Sequence, residues 1–215
     1  MFHHEGRSSH MFDIEKIARE VIAERVYVSE ADFQLNFAMK ISREYPQAQV
    51  RCEYPVIEDK KRKHIDIVVE LDGKLYPIEL KYRTKLLRVK DGATDVILAN
   101  HSAHDDGCYK YLCDVERIGK LRDGGFGPSS QSFGEGYAIF LTNDEKYIKE
   151  CYTNISYKAF LINHGVNSTG KELKGSVNGN EDITITLPER ISSNAWAHCS
   201  HQDTNFHWLI TKVSK

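Results

Sequence analysis

The stretch from Arg62 to Lys81 constrains this chain more than any other, because it predicts two strands joined by one tight turn. Ile65, Ile67, Val69 and Leu71 alternate with His64, Asp66, Val68 and Glu70, while Tyr76, Ile78 and Leu80 alternate with Pro77, Glu79 and Lys81. Between the two runs stands Asp72-Gly73, a pair that accepts the positive φ values of a two-residue type I′ loop. Such a loop sets Leu71 against Lys74 and therefore Asp66 against Glu79. A four-residue loop from Leu71 to Lys74 keeps that pairing, and an odd-length loop breaks it.

Carboxylates opposed across antiparallel strands stand about 4.5 to 5.5 Å apart at Cβ, where like charges repel. A divalent cation between them relieves the repulsion, since Mg²⁺ is commonly held by one or two carboxylates together with waters and phosphate oxygens. Lys81 lies two residues beyond Glu79 on the same face, within reach of a phosphate or a water. The blander account is that a hairpin with one wet face alternates apolar and polar residues anyway. Alternation alone leaves both accounts open.

Asp66, twelve intervening residues and then Glu79-Leu80-Lys81 resembles the signature of the PD-(D/E)XK nuclease superfamily, the restriction-endonuclease-like fold. Ile65 stands where that family usually has Pro. The resemblance implies an α/β core, a central mixed sheet flanked by helices in the order α-β-β-β-α-β, here with strands added at the C-terminus. It implies that Asp66, Glu79 and the backbone carbonyl of Leu80 hold Mg²⁺, with Mn²⁺ able to substitute, and that Lys81 orients or activates the attacking water. Members of the family often carry a Glu on the helix before the hairpin, and Glu30 with Gln34 occupies that place, Glu30 as a further metal ligand. An acidic first turn that favours the helix dipole is the alternative for Glu30. The resemblance covers Ser29 to Arg83 well.

At 215 residues the chain suits one domain, from 11 to 215, after a disordered leader at 1–10. Its 40% hydrophobic and 28% charged content is ordinary for a soluble protein. No apolar run reaches the roughly 18 residues of a membrane span, and the N-terminus lacks a signal-peptide pattern, so a cytoplasmic protein with no membrane partner is expected. Five cysteines, at 52, 108, 113, 151 and 199, include no CxxC spacing, which argues against a disulfide framework and against a zinc ribbon. A net charge of −2 excludes a basic nucleic-acid coat. From Lys60 to Lys90, however, ten Lys and Arg face four Asp and Glu, a patch that suits a phosphate backbone or a solvated Lys-rich loop.

Elsewhere, helical spacing predicts a first helix from about Asp13 to Glu24, and Ser29 caps a second whose stripe is Phe33, Phe37 and Ile41, ending before Tyr45-Pro46. Gln49 to Ile57 reads as a strand with Val50, Cys52, Tyr54 and Val56 on one face, followed by a charged connector from Glu58 to Lys63. The connection at 83–107 reads as a long substrate-touching loop. Within it His101 and His104, with Asp105 and Asp106, read as ordinary polar residues. A third helix is expected over Tyr109 to Leu121, with Tyr111, Leu112, Val115 and Ile118 inward and Lys110, Asp114, Glu116 and Arg117 wet. Then come a flexible link from Gly124 to Gly136, a buried strand from Tyr137 to Thr142 and a brief helix from an Asn143-Asp144 cap through Tyr152. Asn163 to Asn180 reads as a mobile excursion. Two last strands, Ile183 to Leu187 and Phe206 to Val213, flank a segment from Ser192 to Asn205 whose His198, Cys199 and His201 suggest neither a zinc site nor a Cys-His nucleophile.

The expected function is a Mg²⁺-dependent phosphodiesterase acting on nucleic acid, a DNA endonuclease of defence or repair, for which a homodimer is natural when both strands are cut. Two alternatives stay open: a nucleic-acid-binding module on the same fold that does not cut, and a protein with no nucleic-acid role whose hairpin charges are ordinary surface residues.

Overall fold

Local chemistry sets where the first helices begin and end. The computed structural model describes residues 12–58, 60–124, 131–149, 155–166, 170–201 and 203–215; the expected leader at 1–10 lies outside them. Helix α1 spans Ile14–Glu24, with the Asp13 carboxylate accepting from the Lys16 N–H at 2.9 Å. Helix α2 spans Glu30–Glu44, with Ser29 Oγ accepting from the Asp32 N–H at 3.1 Å. It stops at Glu44 because Pro46 disfavours the helical conformation in the residue before it. Phe33, Phe37 and Ile41 on its inner face are 0% exposed, each contributing about 1.5 to 3 kcal/mol by burial.

The strands are β1 (Gln49–Glu58), β2 (Lys61–Leu71), β3 (Lys74–Arg83), β4 (Leu87–Asp91) and β5 (Thr94–Leu98), followed by helix α3 (His104–Gly124). Then come β6 (Ser132–Phe133), β7 (Gly136–Thr142), β8 (Glu172–Val177), β9 (Asn180–Thr186), β10 (Ile191–Ser193), β11 (Ala197–His201) and β12 (Thr204–Val213). The main sheet runs β1-β2-β3-β7-β12-β10, with β11 also on β12 and β6 beside β3. The β1-β2-β3 meander is antiparallel, β7 runs parallel to β3, and β12 returns antiparallel. Among the described residues this is an α/β fold with a mixed central sheet and three α-helices. Helices α1 and α2 cover one face, against Ile67, Val69, Ile78, Leu80 and Ile139. Helix α3 covers the other, where Tyr111, Leu112, Val115 and Ile118 meet Ala138, Phe140 and Leu209. All seven residues of β7 are buried, as expected for a strand with neighbours on both sides. Among the described residues no helix is long and apolar enough to cross a membrane.

The central turn forms as its residues dictate. Asp72 and Gly73 have φ of +50° and +70°, and the register runs from Leu71↔Lys74 to Ile67↔Ile78.

Several connections are more ordered than expected. Strands β1 and β2 run through the predicted connector at 58–63, and Lys60 turns the chain with φ +63°. As an edge strand with one neighbour, β1 buries only Val56; Val50 and Tyr54 are half-buried and Cys52 is exposed. The long loop at 83–107 contains the β4–β5 hairpin, and α3 begins at His104, well before Tyr109. The expected excursion at 163–180 contains β8 and the start of β9, joined through Asn178-Gly179 with φ +52° and +76°. That Asn-Gly is a turn signal in its own right. Strands β10 and β11 occupy the segment expected to separate the last two strands. Strand β8 is largely polar, and backbone pairing asks little of side-chain hydropathy, so patterning misses it; the β4–β5 hairpin instead carries a legible signal, Leu87 and Val89 alternating before Asp91-Gly92 with Val96 and Leu98 buried in the core. The Gly-rich link falls largely on 125–130, outside the described residues. The brief helix is described only as a 3₁₀ turn at Glu145–Tyr147 capped by Asp144, and 150–154 lie outside.

Candidate active site

The candidate site lies where β2 parts from β3. The β2–β3 register ends at Ile67↔Ile78, and the β1–β2 register passes from Cys52↔Ile67 to Tyr54↔Ile65, so Asp66 is absent from both and the expected ladder pair of Asp66 with Glu79 does not form. Opposite it Glu53 has φ +52°, a conformation that residues other than Gly seldom adopt. Side chains meet the backbone of Asp66 instead: its N–H donates to Glu79 Oε2 at 3.3 Å, and its C=O accepts from Gln34 Nε2 at 2.6 Å. Gln34 also donates to Glu53 Oε1 at 2.8 Å. The alternation expected from Ile65 to Leu71 breaks here, because Ile65 packs with Val56, Val68 and Leu121, whereas Ile67 and Val69 face α1 and α2. One irregular residue is enough to turn its successors along the strand to the opposite face.

Parting also leaves β3 with backbone donors that need acceptors. The Leu80 N–H donates to Asp66 Oδ2 at 2.6 Å and the Tyr82 N–H to Glu30 Oε2 at 2.7 Å. Four residues singled out from sequence thus meet at one break in the sheet, Gln34 and Glu30 from α2, Asp66 from β2 and Glu79 from β3.

Helix α3 supplies two members that sequence reasoning missed. Asp114 and Arg117 are not wet: Asp114 is 5% exposed and the Arg117 side chain is 16% exposed. Arg117 Nη1 donates to Glu79 Oε1 at 2.5 Å and to Asp114 Oδ1 at 3.1 Å, and its Nε donates to Glu58 Oε2 at 3.2 Å. Lys81 Nζ sits 3.1 Å from Asp114 Oδ2. The missed signal was positional. Asp114 is three residues after Tyr111 and four before Ile118, inside the apolar stripe, where a charge needs a buried partner.

Four acids, Glu30, Asp66, Glu79 and Asp114, face two cations, Lys81 and Arg117, and Arg117 is shared with Glu58 as well. Burial, then Asp114 and Glu30, push the Asp66 carboxyl up to about 6, against the Leu80 N–H and Lys81, which favour its charged form. Burial, Asp114 and Asp66 hold Glu79 well above the usual carboxylate range despite Arg117. Burial also raises Asp114, against the pull of Lys81 and Arg117. Burial alone would lower Lys81, but Asp114, Glu30 and Asp66 outweigh it and raise it, so its amine is held as an ammonium.

Among the described residues no three or more His, Cys, Asp or Glu side chains converge as a ready cation cage. The donor set nevertheless fits Mg²⁺ or Mn²⁺. Asp66, Glu79, Glu30 and the Leu80 carbonyl offer only hard oxygen ligands. Acids outnumber the cations that meet them, and each engaged carboxylate oxygen retains a second lone pair. The histidines after β5 are otherwise occupied. His101 Nδ1 accepts from the Thr84 N–H at 3.0 Å, and His104 Nε2 lies 2.5 Å from Asp144 Oδ2. On β11, His201 Nε2 is 2.9 Å from the Ile22 carbonyl and 3.5 Å from Cys199 Sγ.

A cleft of about 390 Å³ opens beside Lys81 and Glu30, with Arg83, Thr84, His101 and Lys110 also in its walls. Asp66 and Glu79 lie outside its lining. Its three cations, Lys81, Arg83 and Lys110, suit a phosphate.

Fold and site together define an α/β protein with a buried acid, lysine and arginine cluster at a strand junction. Compared with protein-family models, curated proteins and solved structures, the chain matches none of them.

Proposed function

We propose that this chain is a Mg²⁺-dependent phosphodiesterase with a restriction-endonuclease-like core, acting on nucleic acid as a DNA endonuclease. The observation that carries the reading is the meeting of Asp66, Glu79 and Lys81 at the parting of β2 and β3, in a buried cluster with more acids than cations. A structural ion network has no reason to retain uncompensated buried acids, since each raises the energy of the fold. Asp66, Glu79 and the Leu80 carbonyl would hold the ion, with Glu30 beside them. When bound, Mg²⁺ supplies charge to polarise a phosphate oxygen and to acidify a water. The chain supplies the rest. Asp114 holds the Lys81 ammonium, which donates to a phosphate oxygen and stabilises its growing negative charge as water adds and the ester bond breaks. Arg117 orients Glu79, and Gln34 fixes the backbone of Asp66.

The rival is a structural role for the same cluster, favoured by the hold of Arg117 on Glu79. Incubating plasmid and single-stranded DNA with the protein and Mg²⁺ or Mn²⁺ separates the two. Cleavage by the wild type, lost in Asp66→Ala and in Lys81→Ala with the circular dichroism spectrum retained, is the expected outcome. No product from the wild type, or undiminished product from either variant, removes the reading.

A further inference from the structure

Beyond Asp66, strand β2 pairs with β1 alone, because β3 has already left it. Strands β1 and β2 therefore continue as a two-stranded arm from Tyr54↔Ile65 to Glu58↔Lys61. One face of the arm lies on the last turns of α3, where Val56 and Ile65 meet Leu121 and where Glu58 pairs with Arg117 and Lys120. The other face is open. It carries the cross-strand pairs Ile57↔Arg62 and Pro55↔His64, all four exposed, with Ile57 at 75%. Lys60, Lys61, Arg62 and Lys63 are all exposed, and no ion pair joins any of them to another described residue. The acid on the arm among the described residues, Glu58, is already neutralised by α3.

We propose that this arm seats duplex DNA by entering the major groove, so that the backbone beside the groove falls at Asp66 and Lys81. The proposal rests on the nuclease reading of that site and names its substrate as B-form duplex. The major groove is about 12 Å wide and about 8.5 Å deep and admits a two-stranded ribbon. About five residues per strand give the arm roughly 16 Å, enough to reach the groove floor while its root stays at the backbone. Four cations with no ion-pair partner among the described residues match phosphates on the two rims, and Ile57 offers an apolar contact to base edges. Single strands are bound on exposed aromatic platforms, whereas of the rings on the arm Tyr54 is half-buried and His64 offers one small exposed imidazole. Duplex RNA has a major groove too deep and narrow for such a ribbon.

The test is fluorescence anisotropy with the full chain in EDTA, over a salt series, on a DNA duplex, one of its strands, and an RNA duplex of the same sequence. The wild type is expected to prefer the DNA duplex. Lys61→Gln, Arg62→Gln and Lys63→Gln combined should weaken duplex binding at least about tenfold and make the log–log salt dependence shallower by about 2 to 3, near 0.9 per phosphate contact. Because these side chains are exposed, the melting temperature should match that of the wild type. As a measurement needing no variant, duplex DNA should protect Lys61 and Lys63 from acylation but not Lys174. Unchanged affinity and slope in the triple variant, equal binding of the single strand or of RNA, or no protection of the arm overturns the proposal. Arm-dependent duplex binding without cleavage in Mg²⁺ overturns the nuclease reading alone. Cleavage by a triple variant with unaltered affinity overturns the arm alone.

Discussion

A carboxyl that is harder to ionise when folded than when unfolded makes the protein less stable once it is charged. Asp66 rises from an ordinary 3.8 to about 6, and burial is the largest cause. Below about pH 4 both states hold the proton; between about pH 4 and 6 only the folded state does, so stability falls as pH rises through that window. Roughly two pKa units correspond to about 3 kcal/mol. Asp66→Asn keeps an oxygen for the Leu80 N–H and removes the charge. Its stability relative to the wild type is expected to grow by about 3 kcal/mol between about pH 4 and pH 7, read by urea denaturation in EDTA. A constant difference across that range would show that Asp66 is not strained by its charge. Wild-type folding therefore carries a penalty at neutral pH that a bound divalent cation would relieve. The arrangement is understandable if the site is kept for a ligand rather than for stability.

At the scale of elements, one two-residue turn aligns the site. Asp72 and Gly73 both have positive φ, and a one-residue slip of the hairpin would turn Ile67 and Val69 away from α1 and α2. An alanine Cβ at position 73 would touch nothing within 4 Å, so Gly73→Ala isolates the conformational term, a loss of about 1 to 2 kcal/mol. The expected outcome is a lower melting temperature with the pairing of β2 and β3, and hence metal-dependent cleavage below that temperature, retained. Loss of cleavage in a folded Gly73→Ala protein would mean that the turn does more than set register. The approach of α3 to the sheet is a second constraint. A Cβ on Gly136 would collide with the Ile118 side chain and stand 3.2 Å from that of Pro77. The absence of a side chain there lets α3 lie close enough for Asp114 and Arg117 to reach Lys81 and Glu79.

Across the whole molecule, the cleft beside Lys81 draws on the start of α2, the end of β3, the segment after β5 and the first turns of α3. Lys110 lies in its wall, 3.0 Å from Asp106, which also pairs with Arg83 at 2.7 Å. If the cleft takes the phosphate next to the scissile one, Lys110→Gln should raise KM for DNA and make the salt dependence shallower by about 1. An unchanged KM and slope would place the DNA path elsewhere, leaving the arm as its main support.

The hairpin, its turn and its register as far as Ile67↔Ile78 are written in the amino acids alone, because alternation and Asp-Gly chemistry act over a few residues. So are α1, α2 and the buried course of β7, where apolar spacing is unambiguous. The same local logic expects Asp66 opposite Glu79 with Lys81 on that face, but the ladder stops at Ile67↔Ile78, and side-chain to backbone bonds bring Asp66 to Glu79 instead. It takes the folded chain to make β2 break its pairing at Asp66, to bring Glu30 and Gln34 to the backbone groups this frees, and to carry Asp114 and Arg117 in from a helix far along the chain. Those features depend on which carboxylate finds which donor once water is excluded. Hydropathy reads a charged residue as wet, whereas burial makes its partner, not its polarity, decide where it lies.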